Sequence, residues 1–385
     1  MTEMKQEAVT PNQPLAGITV VEIGHSLSAP YATHILRNLG AEVIKIESEG
    51  AGDHARGWGK VRAGDAAVMF HAINCGKKSV AVDLRDNDAR AAVRKLILER
   101  ADVVVQNMKP GAVEKAGLDA TSLRADKPQL IYCNIGAFGN AGPLRNAPGY
   151  DPLAQAMSGM MSLIGSEGDK TSRIPISIND IGSGMWAAIG ILSAIHHRDR
   201  SNDGMVIDTS LYETAFSWMI AQVTDYLNSG EPAVRQGSAN ANIVPYQVFE
   251  TADGEMLIAA GNDRLFARLA EVVGRTDLSS NPAYLTGADR VMNRDALIDE
   301  LEPAIRAFPT DALRARLDAA GVPCGPILQV HEAVDSEQTQ ALGLVVSTPG
   351  DDVRMIGIPL MINSVRVPVA GRSPMLGEHS NLLKD

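Results

Sequence analysis

Apolar residues recur with two alternating periods along the first half of the chain. Ile18–Ile23 and Glu42–Glu47 are short, mostly apolar runs typical of buried strands. Between them, the apolar positions over residues 31–39 have helical spacing, and Gly40 is placed to end that helix. A strand, a helix and a second strand in this order predict a parallel sheet with right-handed crossovers.

The same alternation continues up to about Ser210. Further apolar runs predict strands over 79–84, 102–106 and 129–134, with a helix over 89–97 between the first two of them. Strands that alternate with helices in this way favour a doubly wound α/β domain.

The pattern changes in the second half of the chain. A long helix is predicted over 211–227, and Tyr246–Thr251 and Glu255–Ala260 then flank a tight-turn signal, which predicts a hairpin. Helical patterns follow over 265–273 and 294–301, a turn-rich link over 321–326, and one strand over 353–361. We therefore predict a large α/β domain over 14–210, a smaller α+β domain over 230–309, and a C-terminal segment, 325–385, that returns to the large domain.

One segment of the large domain combines a carboxylate with small residues. Pro175–Asp180 alternates apolar and polar side chains, which predicts a short strand, and Met185–Ile195 is nearly all apolar, which predicts a buried helix. Asp180 stands between them, so it is either the N-cap of that helix or an ionised group that reacts with a ligand. The nearby Gly182 and Gly184 weaken a helix, and close approach of a ligand would explain them better than capping does. Both roles can coexist.

Composition narrows the class of protein. The chain has 385 residues, 45% apolar and 21% charged, and a net charge of −11, which disfavours binding to nucleic acid or to an anionic membrane. Its three cysteines lie far apart, so they predict neither a metal site nor a disulfide framework and suit a reducing cytoplasm. The polar segment 1–7 predicts no signal peptide, and no uninterrupted apolar run has the length needed to span a membrane.

Common catalytic motifs are incomplete. Gly24–Ser28 begins like a nucleophile elbow but lacks its closing glycine, and Gly76–Ser79 resembles only the end of a phosphate loop. No glycine-rich dinucleotide motif follows the first strand. What remains is a set of basic residues near strand ends, each of them either part of a phosphate site or an ordinary surface charge: Arg56, Lys77, Lys78, Lys109 and Lys115.

From Pro14 to about Leu383 the chain resembles the class III coenzyme A transferases, the family of formyl-CoA transferase and the CaiB/BaiF proteins. The resemblance is carried by an ordered set of short motifs: Pro14–Gly17, Gly40–Glu47, Asn74–Ser79, Asn107–Gly111, Gly149–Asp151, Gly204–Asp208, Thr251–Gly254, Gly321–Pro326 and Leu376–His379. It implies a Rossmann-like large domain with a parallel sheet, a smaller α+β domain, and two interlocked protomers in a homodimer.

The resemblance also implies a site. Asp180 matches the position of the family's nucleophilic aspartate, and coenzyme A is the expected co-substrate, without a metal. By position, the residues expected to bind coenzyme A are Leu27, Ser28, Asn107, Met108 and Lys115, with Lys77 and Lys78 at the nucleotide end. The chain departs from the family at Ser48–Glu49, where relatives usually carry a basic residue.

The predicted function is transfer of coenzyme A from an acyl-CoA to a free carboxylic acid through aspartyl-anhydride and aspartyl-thioester intermediates. An aspartate with a pKa of roughly 4 is ionised at neutral pH and needs no base. The alternatives are an α-methylacyl-CoA racemase and a non-catalytic acyl-CoA-binding protein. A racemase needs two acid–base groups, and the racemase branch of the family typically has a histidine where this chain has Tyr150. Arg145 and Arg173 are the candidates for binding a second carboxylate of a small dicarboxylic acid, against the alternative that each is a surface charge.

Overall fold

The computed structural model describes residues 13–349 and 353–384. The chain forms two compact units. The first comprises the residues up to Met160, Arg173–Ser229 and the segment from Glu337 onward, and the second comprises Met161–Ser172 and Gly230–Ser336. The polar segment 1–7, for which we predict no signal peptide, lies outside the described residues.

The first unit is built on a parallel sheet. Its strands up to Ser210 are β1 (Thr19–Ile23), β2 (Glu42–Ser48), β3 (Arg62–Ala63), β4 (Ala66–Ala67), β5 (Lys78–Val82), β6 (Val103–Gln106), β7 (Ile131–Gly136) and β8 (Val206–Ser210). Its helices up to Ser229 are α1 (Ser28–Asn38), α2 (Val68–Asn74), α3 (Asn87–Arg100), α4 (Ala112–Ala116), α5 (Ala120–Asp126), α6 (Asp151–Met157), α7 (Ile178–Ser201), α8 (Leu211–Trp218) and α9 (Ile220–Ser229).

Six of these strands form one sheet in the order β5-β2-β1-β6-β7-β8, and all neighbours are parallel. Helices α1 and α7 pack on one face, around buried residues such as Leu36 and Ile191, and α3 and α5 cover the other, around Ile97 and Leu123. The predicted α/β class with a parallel sheet is therefore confirmed. The sixth strand, β8, was not among the predicted strands.

The second unit contains a small antiparallel sheet. Its strands are β9 (Tyr246–Glu250), β10 (Glu255–Ala259) and β11 (Cys324–Pro326), in the order β11-β10-β9. Its helices are α10 (Asp263–Val272), α11 (Thr276–Ser280), α12 (Gly287–Met292), α13 (Arg294–Arg306), α14 (Thr310–Ala320) and α15 (Val330–Asp335). The predicted hairpin is present as β9 and β10. The stretch predicted as a turn-rich link instead supplies β11, which pairs with β10 and keeps the chain in this unit as far as Ser336.

The C-terminal segment belongs to the first unit and contains α16 (Glu337–Leu342), β12 (Val345–Ser347), β13 (Arg354–Ile356), β14 (Met361–Ile362) and β15 (Val365–Arg366). The strand predicted over 353–361 is wrong, because β13 and β14 belong to two separate hairpins. Beyond them, the backbone N–H of His379 donates to the carbonyl of Ser79 at 2.8 Å, which fastens the end of the segment to β5.

Two predictions about helices are also wrong. Pro175–Asp180 is not a strand, because α7 already begins at Ile178, and the helix predicted over 211–227 is divided at Met219 into α8 and α9. Within the described residues α7 is long and apolar enough to cross a membrane, contrary to what we inferred from sequence, but half of its most apolar stretch is buried inside the unit. Burial of that kind is typical of a core helix.

Candidate active site

The loop after β1 is held by side chains from two neighbouring segments. Ser26 has a positive φ of 70°, a conformation that costs energy for a residue with a Cβ. Its backbone N–H donates to Asp53 Oδ1 at 2.8 Å, and the N–H of His25 donates to Asn107 Oδ1 at 3.0 Å. Asn107 Nδ2 in turn donates to the carbonyl of His25 at 2.9 Å and to Ser28 Oγ at 3.0 Å. This loop therefore has a defined shape where β1 ends.

A buried charge network lies beneath the loop. Lys45 Nζ pairs with Glu22 and lies 2.7 Å from Asp53 Oδ2, while Lys77 Nζ donates to Glu22 Oε2 at 2.8 Å. Burial alone would raise the pKa of Glu22, but the two ammonium groups lower it. Burial lowers the pKa of Lys77 to about 8, although Glu22 opposes this shift. The network anchors Asp53 and, through it, the conformation of Ser26.

Asp180 lies in the first turn of α7, where Ser177 is the N-cap residue and makes no side-chain cap bond. The capping oxygen comes from elsewhere in the sequence: Asp151 Oδ2 accepts the backbone N–H of Asn179 at 2.6 Å and that of Asp180 at 3.3 Å. This external carboxylate satisfies amide groups that would otherwise lack partners, so the helix starts two residues before Asp180. Asp180 is not the N-cap, and the N-cap alternative is wrong.

The same arrangement changes the acidity of Asp180. Burial raises its pKa, the negative charge of Asp151 raises it further, and hydrogen bonding to the Ser28 hydroxyl acts in the opposite direction; the resulting pKa is about 7. The expectation of an ordinary aspartate with a pKa of roughly 4 is therefore wrong. At neutral pH a large share of the carboxyl is protonated.

The glycines after Asp180 serve helix packing. A Cβ on Gly182 would lie 2.6 Å from Trp218 Cζ2, and a Cβ on Gly184 would lie 2.8 Å from the carbonyl oxygen of Ser28. Both distances are too short for real atoms, so the glycines allow α7 to approach α8 and α1. They also lie within the helix, so packing against α8 and α1 explains both glycines without close approach of a ligand.

Two cavities meet at the carboxyl ends of the strands. The larger, of about 610 Å³, extends past the ends of β1, β2 and β5 and is lined by residues that include Ser48, Glu49 and Arg85. The smaller, of about 140 Å³, is lined by residues that include Asp180 and Tyr150. His25, Met108 and Lys109 line both cavities, so these residues mark where they adjoin.

The structure brings some of the predicted site residues together. Asp180, Ser28, Asn107 and Met108 all line the smaller cavity. Leu27 is buried immediately before α1 and lines neither cavity, and Lys115 is exposed on α4, also outside both linings.

The two adjacent lysines lie elsewhere. Lys77 is fully enclosed, and its ammonium also donates to the carbonyl of Pro30 at 2.8 Å. Lys78 begins β5 and pairs with Glu42 at the start of β2. This pair therefore lies at the amino-terminal ends of the strands, opposite the ends where the cavities lie. Neither side chain lines either cavity, because Lys77 precedes β5 and Lys78 is its first residue, whereas ligands of open α/β sheets gather beyond the carboxyl ends of the strands.

Other lining residues were not predicted as ligand-binding residues. Asp83, Leu84 and Arg85 follow β5 directly, and this position at a strand end was the signal that could have identified them. His25 likewise lies just beyond the end of β1, two residues after Ile23. Burial lowers its pKa, and the neighbouring His54, whose ring centroid lies 4.6 Å away, lowers it further. The pKa of His25 is therefore below that of an ordinary histidine.

The described ranges contain no group of three or more His, Cys, Asp or Glu side chains arranged to hold a metal ion. The expectation that the protein works without a metal stays a prediction.

Comparison with known proteins gives the family. Residues 15–380 match the model of CoA-transferase family III. The chain is 36% identical to succinate–glutarate CoA-transferase of Agrobacterium fabrum over 375 residues, covering 95% of this chain and 94% of that protein. It is 34% identical to acetyl-CoA:oxalate CoA-transferase of Acetobacter aceti, covering 93% and 91% of the two chains.

Solved structures agree with this match. A CaiB/BaiF family protein from Brucella suis is 38% identical, with a TM-score of 0.84 over 97% of this chain and 99% of that one. Rv3272 from M. tuberculosis is 30% identical, with a TM-score of 0.88 over 97% and 100%. The chain therefore belongs to CoA-transferase family III. It is an enzyme that transfers coenzyme A, with a coenzyme A thioester as co-substrate.

Proposed function

We propose that the protein moves coenzyme A from an acyl-CoA to a free carboxylic acid and that Asp180 is the nucleophile. The ionised carboxylate attacks the thioester carbon, the carbon–sulfur bond breaks, and the products are an aspartyl–acyl anhydride and a coenzyme A thiolate. The thiolate then attacks the aspartyl carbonyl, which releases the donor acid and leaves an aspartyl thioester. The acceptor carboxylate attacks that thioester and expels the thiolate, which gives a second aspartyl–acyl anhydride. The thiolate finally attacks the acyl carbon of the acceptor, which releases the new acyl-CoA and regenerates the Asp180 carboxylate.

The observation that carries this proposal is the position of Asp180 in a cavity that adjoins the larger cleft. A long substrate lying in the cleft would place its reactive end in the smaller cavity, beside the carboxyl group. The hydroxyl of Ser28, the first residue of α1, interacts with Asp180 and accepts a hydrogen bond from Asn107 Nδ2, so Ser28 connects the proposed nucleophile to the residue that holds the loop after β1.

The raised pKa of Asp180 supports covalent catalysis. Burial and the charge of Asp151 penalise the ionised carboxylate relative to any neutral form. Acylation removes the negative charge from Asp180, so the same environment that favours protonation also favours the anhydride and the thioester over the free carboxylate. A more basic carboxylate is also a better nucleophile once it has lost its proton.

The cleft is the proposed binding site of coenzyme A. Its cationic lining residues are Arg85 and Lys109, which we propose bind the phosphates, since Ser48–Glu49 offers no cation there. Met108 lines both cavities and suits the apolar part of the coenzyme. Lys115 lies outside this lining, and Lys77 and Lys78 are not part of the proposed site.

The remaining expectations concern partners and location. We propose a homodimer, because the outer face of α7 exposes large apolar side chains, including Trp186 at 45% and Ile189 at 51%, that a second protomer would cover. The relatives include enzymes named for succinate, glutarate and oxalate, which favours a small dicarboxylic acid as one substrate. The three cysteines form no disulfide within residues 13–349 and 353–384, which suits the cytoplasm.

The test is to trap the acylated enzyme. Incubation with an acyl-CoA and hydroxylamine should convert Asp180 into a hydroxamate that peptide mass spectrometry locates, and Asp180→Ala should abolish both the adduct and transfer. A matched control is Asp208→Ala, which removes a carboxylate that does not line either cavity.

Normal turnover with an unmodified Asp180, or by a folded Asp180→Ala variant, would refute the proposed nucleophile. Exchange of the α-proton in deuterated water without any acceptor acid would support the racemase instead.

A further inference from the structure

Two arginines were candidates for a second carboxylate, and they are in different situations. Arg145 lies in the loop between β7 and α6 and lines the cavity that contains Asp180. Arg173 lines neither cavity, and its Nη1 donates to the carbonyls of Ile174 at 3.1 Å and Pro175 at 3.2 Å. The guanidinium of Arg173 is therefore already hydrogen-bonded to the backbone beside it.

Arg145 is exposed, and its guanidinium forms no hydrogen bond or ion pair with any residue in 13–349 and 353–384. Its backbone N–H donates to the carbonyl of Gly142, which fixes a turn of the loop at this point. An arginine without a partner keeps all its donors for a ligand, and its planar fork matches a carboxylate with two parallel hydrogen bonds.

The other cation of this cavity has a different position. Lys109 lines both cavities, whereas Arg145 lines only the one with Asp180. Lys109, where the two cavities adjoin, can interact with the coenzyme or with the acid. Arg145 lies only in the smaller cavity, so a ligand confined to the larger cleft does not reach it. This difference points to the acid as the partner of Arg145.

Charge gives an independent argument. Asp180 and the buried Asp151 already make this end of the site negative. When a dicarboxylic acid approaches the acylated Asp180, one of its carboxylates reacts and the other keeps its charge. Leaving that second carboxylate unpaired near the negative charge of Asp151 would be costly.

We propose that Arg145 binds the non-reacting carboxylate of a short dicarboxylic acid and thereby determines specificity for it. The inference rests on the proposed function, since the reacting carboxylate of the acid must reach the acylated Asp180. Arg145 orients the acid by one end, so that the other end faces the aspartyl carbonyl.

The experiment compares acids that differ only at the distal end. Succinate and succinamate, and glutarate and glutaramate, are tested as acceptors with acetyl-CoA as the donor, because its acyl group has no second carboxylate that Arg145 could bind. The proteins are the wild type, Arg145→Gln, Arg145→Lys and the matched control Arg173→Gln. Hydroxamate formation at Asp180 without any acceptor is measured in parallel as the test of acylation alone.

We expect the wild type to prefer each diacid over its amide by about tenfold to a hundredfold in kcat/KM, the range that corresponds to a charged hydrogen-bonded pair. Arg145→Gln should remove that preference through a higher KM for the diacid, and Arg145→Lys should keep part of it. Hydroxamate formation should stay normal in both variants, which also shows that they are folded. Arg173→Gln should behave as the wild type.

The outcomes separate the two proposals. Absence of the hydroxamate in the wild type would refute the proposed function itself. Three results, each with normal hydroxamate formation, would overturn the assignment of Arg145 alone. They are a wild type that shows no preference for the diacid, a wild type that transfers to no diacid, and an Arg145→Gln variant that loses activity equally with the acid and the amide.

Discussion

Replacing Asp180 by Asn should stabilise the protein above neutral pH while abolishing transfer. Asn is close in shape to a protonated aspartate but cannot ionise, so it removes the energetic penalty of a buried charge. Active-site residues that are optimised for chemistry commonly reduce stability in this way.

The size of the effect follows from the pKa. The folded state raises the pKa of Asp180 from 3.8 to about 7, a change that corresponds to roughly 4 kcal/mol. The sign follows from proton linkage, because a carboxyl whose pKa is raised by folding contributes stability below its unfolded pKa and loses it as pH rises through its folded pKa. The wild type should therefore lose stability between about pH 4 and pH 8, and the variant should not show this loss. Residual exposure of the carboxyl to solvent reduces the expected difference in unfolding free energy between the variant and the wild type to about 2–4 kcal/mol.

Urea denaturation followed by tryptophan fluorescence measures this difference directly. All three tryptophans of the chain, Trp58, Trp186 and Trp218, belong to the first unit, so the signal reports on the unit that contains Asp180. The free energy of unfolding of the wild type and the variant should be similar near pH 4 and diverge as pH rises. Glu271→Gln, an exposed substitution in the second unit, serves as the control for a general effect of charge. A difference between wild type and variant that does not change from pH 5 to pH 8 would refute the reasoning.

Three further predictions follow from the same contacts. The pH profile of kcat/KM for acyl-CoA should rise to a plateau with an apparent pKa of about 7, since only ionised Asp180 attacks. In initial-rate assays, Asp151→Asn should move that rise to lower pH. An unchanged profile would mean that Asp151 does not influence Asp180. Gly184→Ala should destabilise the protein by about 1–3 kcal/mol in urea denaturation, because its Cβ would lie 2.8 Å from the carbonyl oxygen of Ser28, and full stability would contradict that close packing. Lys77→Met should cost about 3–5 kcal/mol of unfolding free energy, because it removes one cation from a buried carboxylate. It should nevertheless leave the KM for acyl-CoA unchanged in the folded fraction. An increase in that KM would show that Lys77 contributes to binding of the coenzyme.

Local patterns predicted most of the sheet. β1, β2, β5, β6 and β7 were recognised as apolar runs, because a strand buried on both faces of a parallel sheet has a nearly continuous apolar sequence. β8 was missed because its burial alternates between exposed and half-buried positions up to Thr209, so it lacks such a run. The start of α7 was misplaced because its capping carboxylate, Asp151, comes from another helix, and no local pattern contains that contact.

The sequence alone identified the α/β class and Asp180 as the candidate nucleophile, because periodicity and motif order are properties of neighbouring residues. The chemical state of that aspartate was decided only by tertiary structure, since its pKa depends on burial and on a carboxylate 29 positions earlier in the chain. In the same way, only the folded chain shows that Lys77 is enclosed beside Glu22 while Arg145 lines the cavity that contains Asp180. Charge interactions act through space, so residues that look equivalent along the chain acquire different roles once the fold determines their distances.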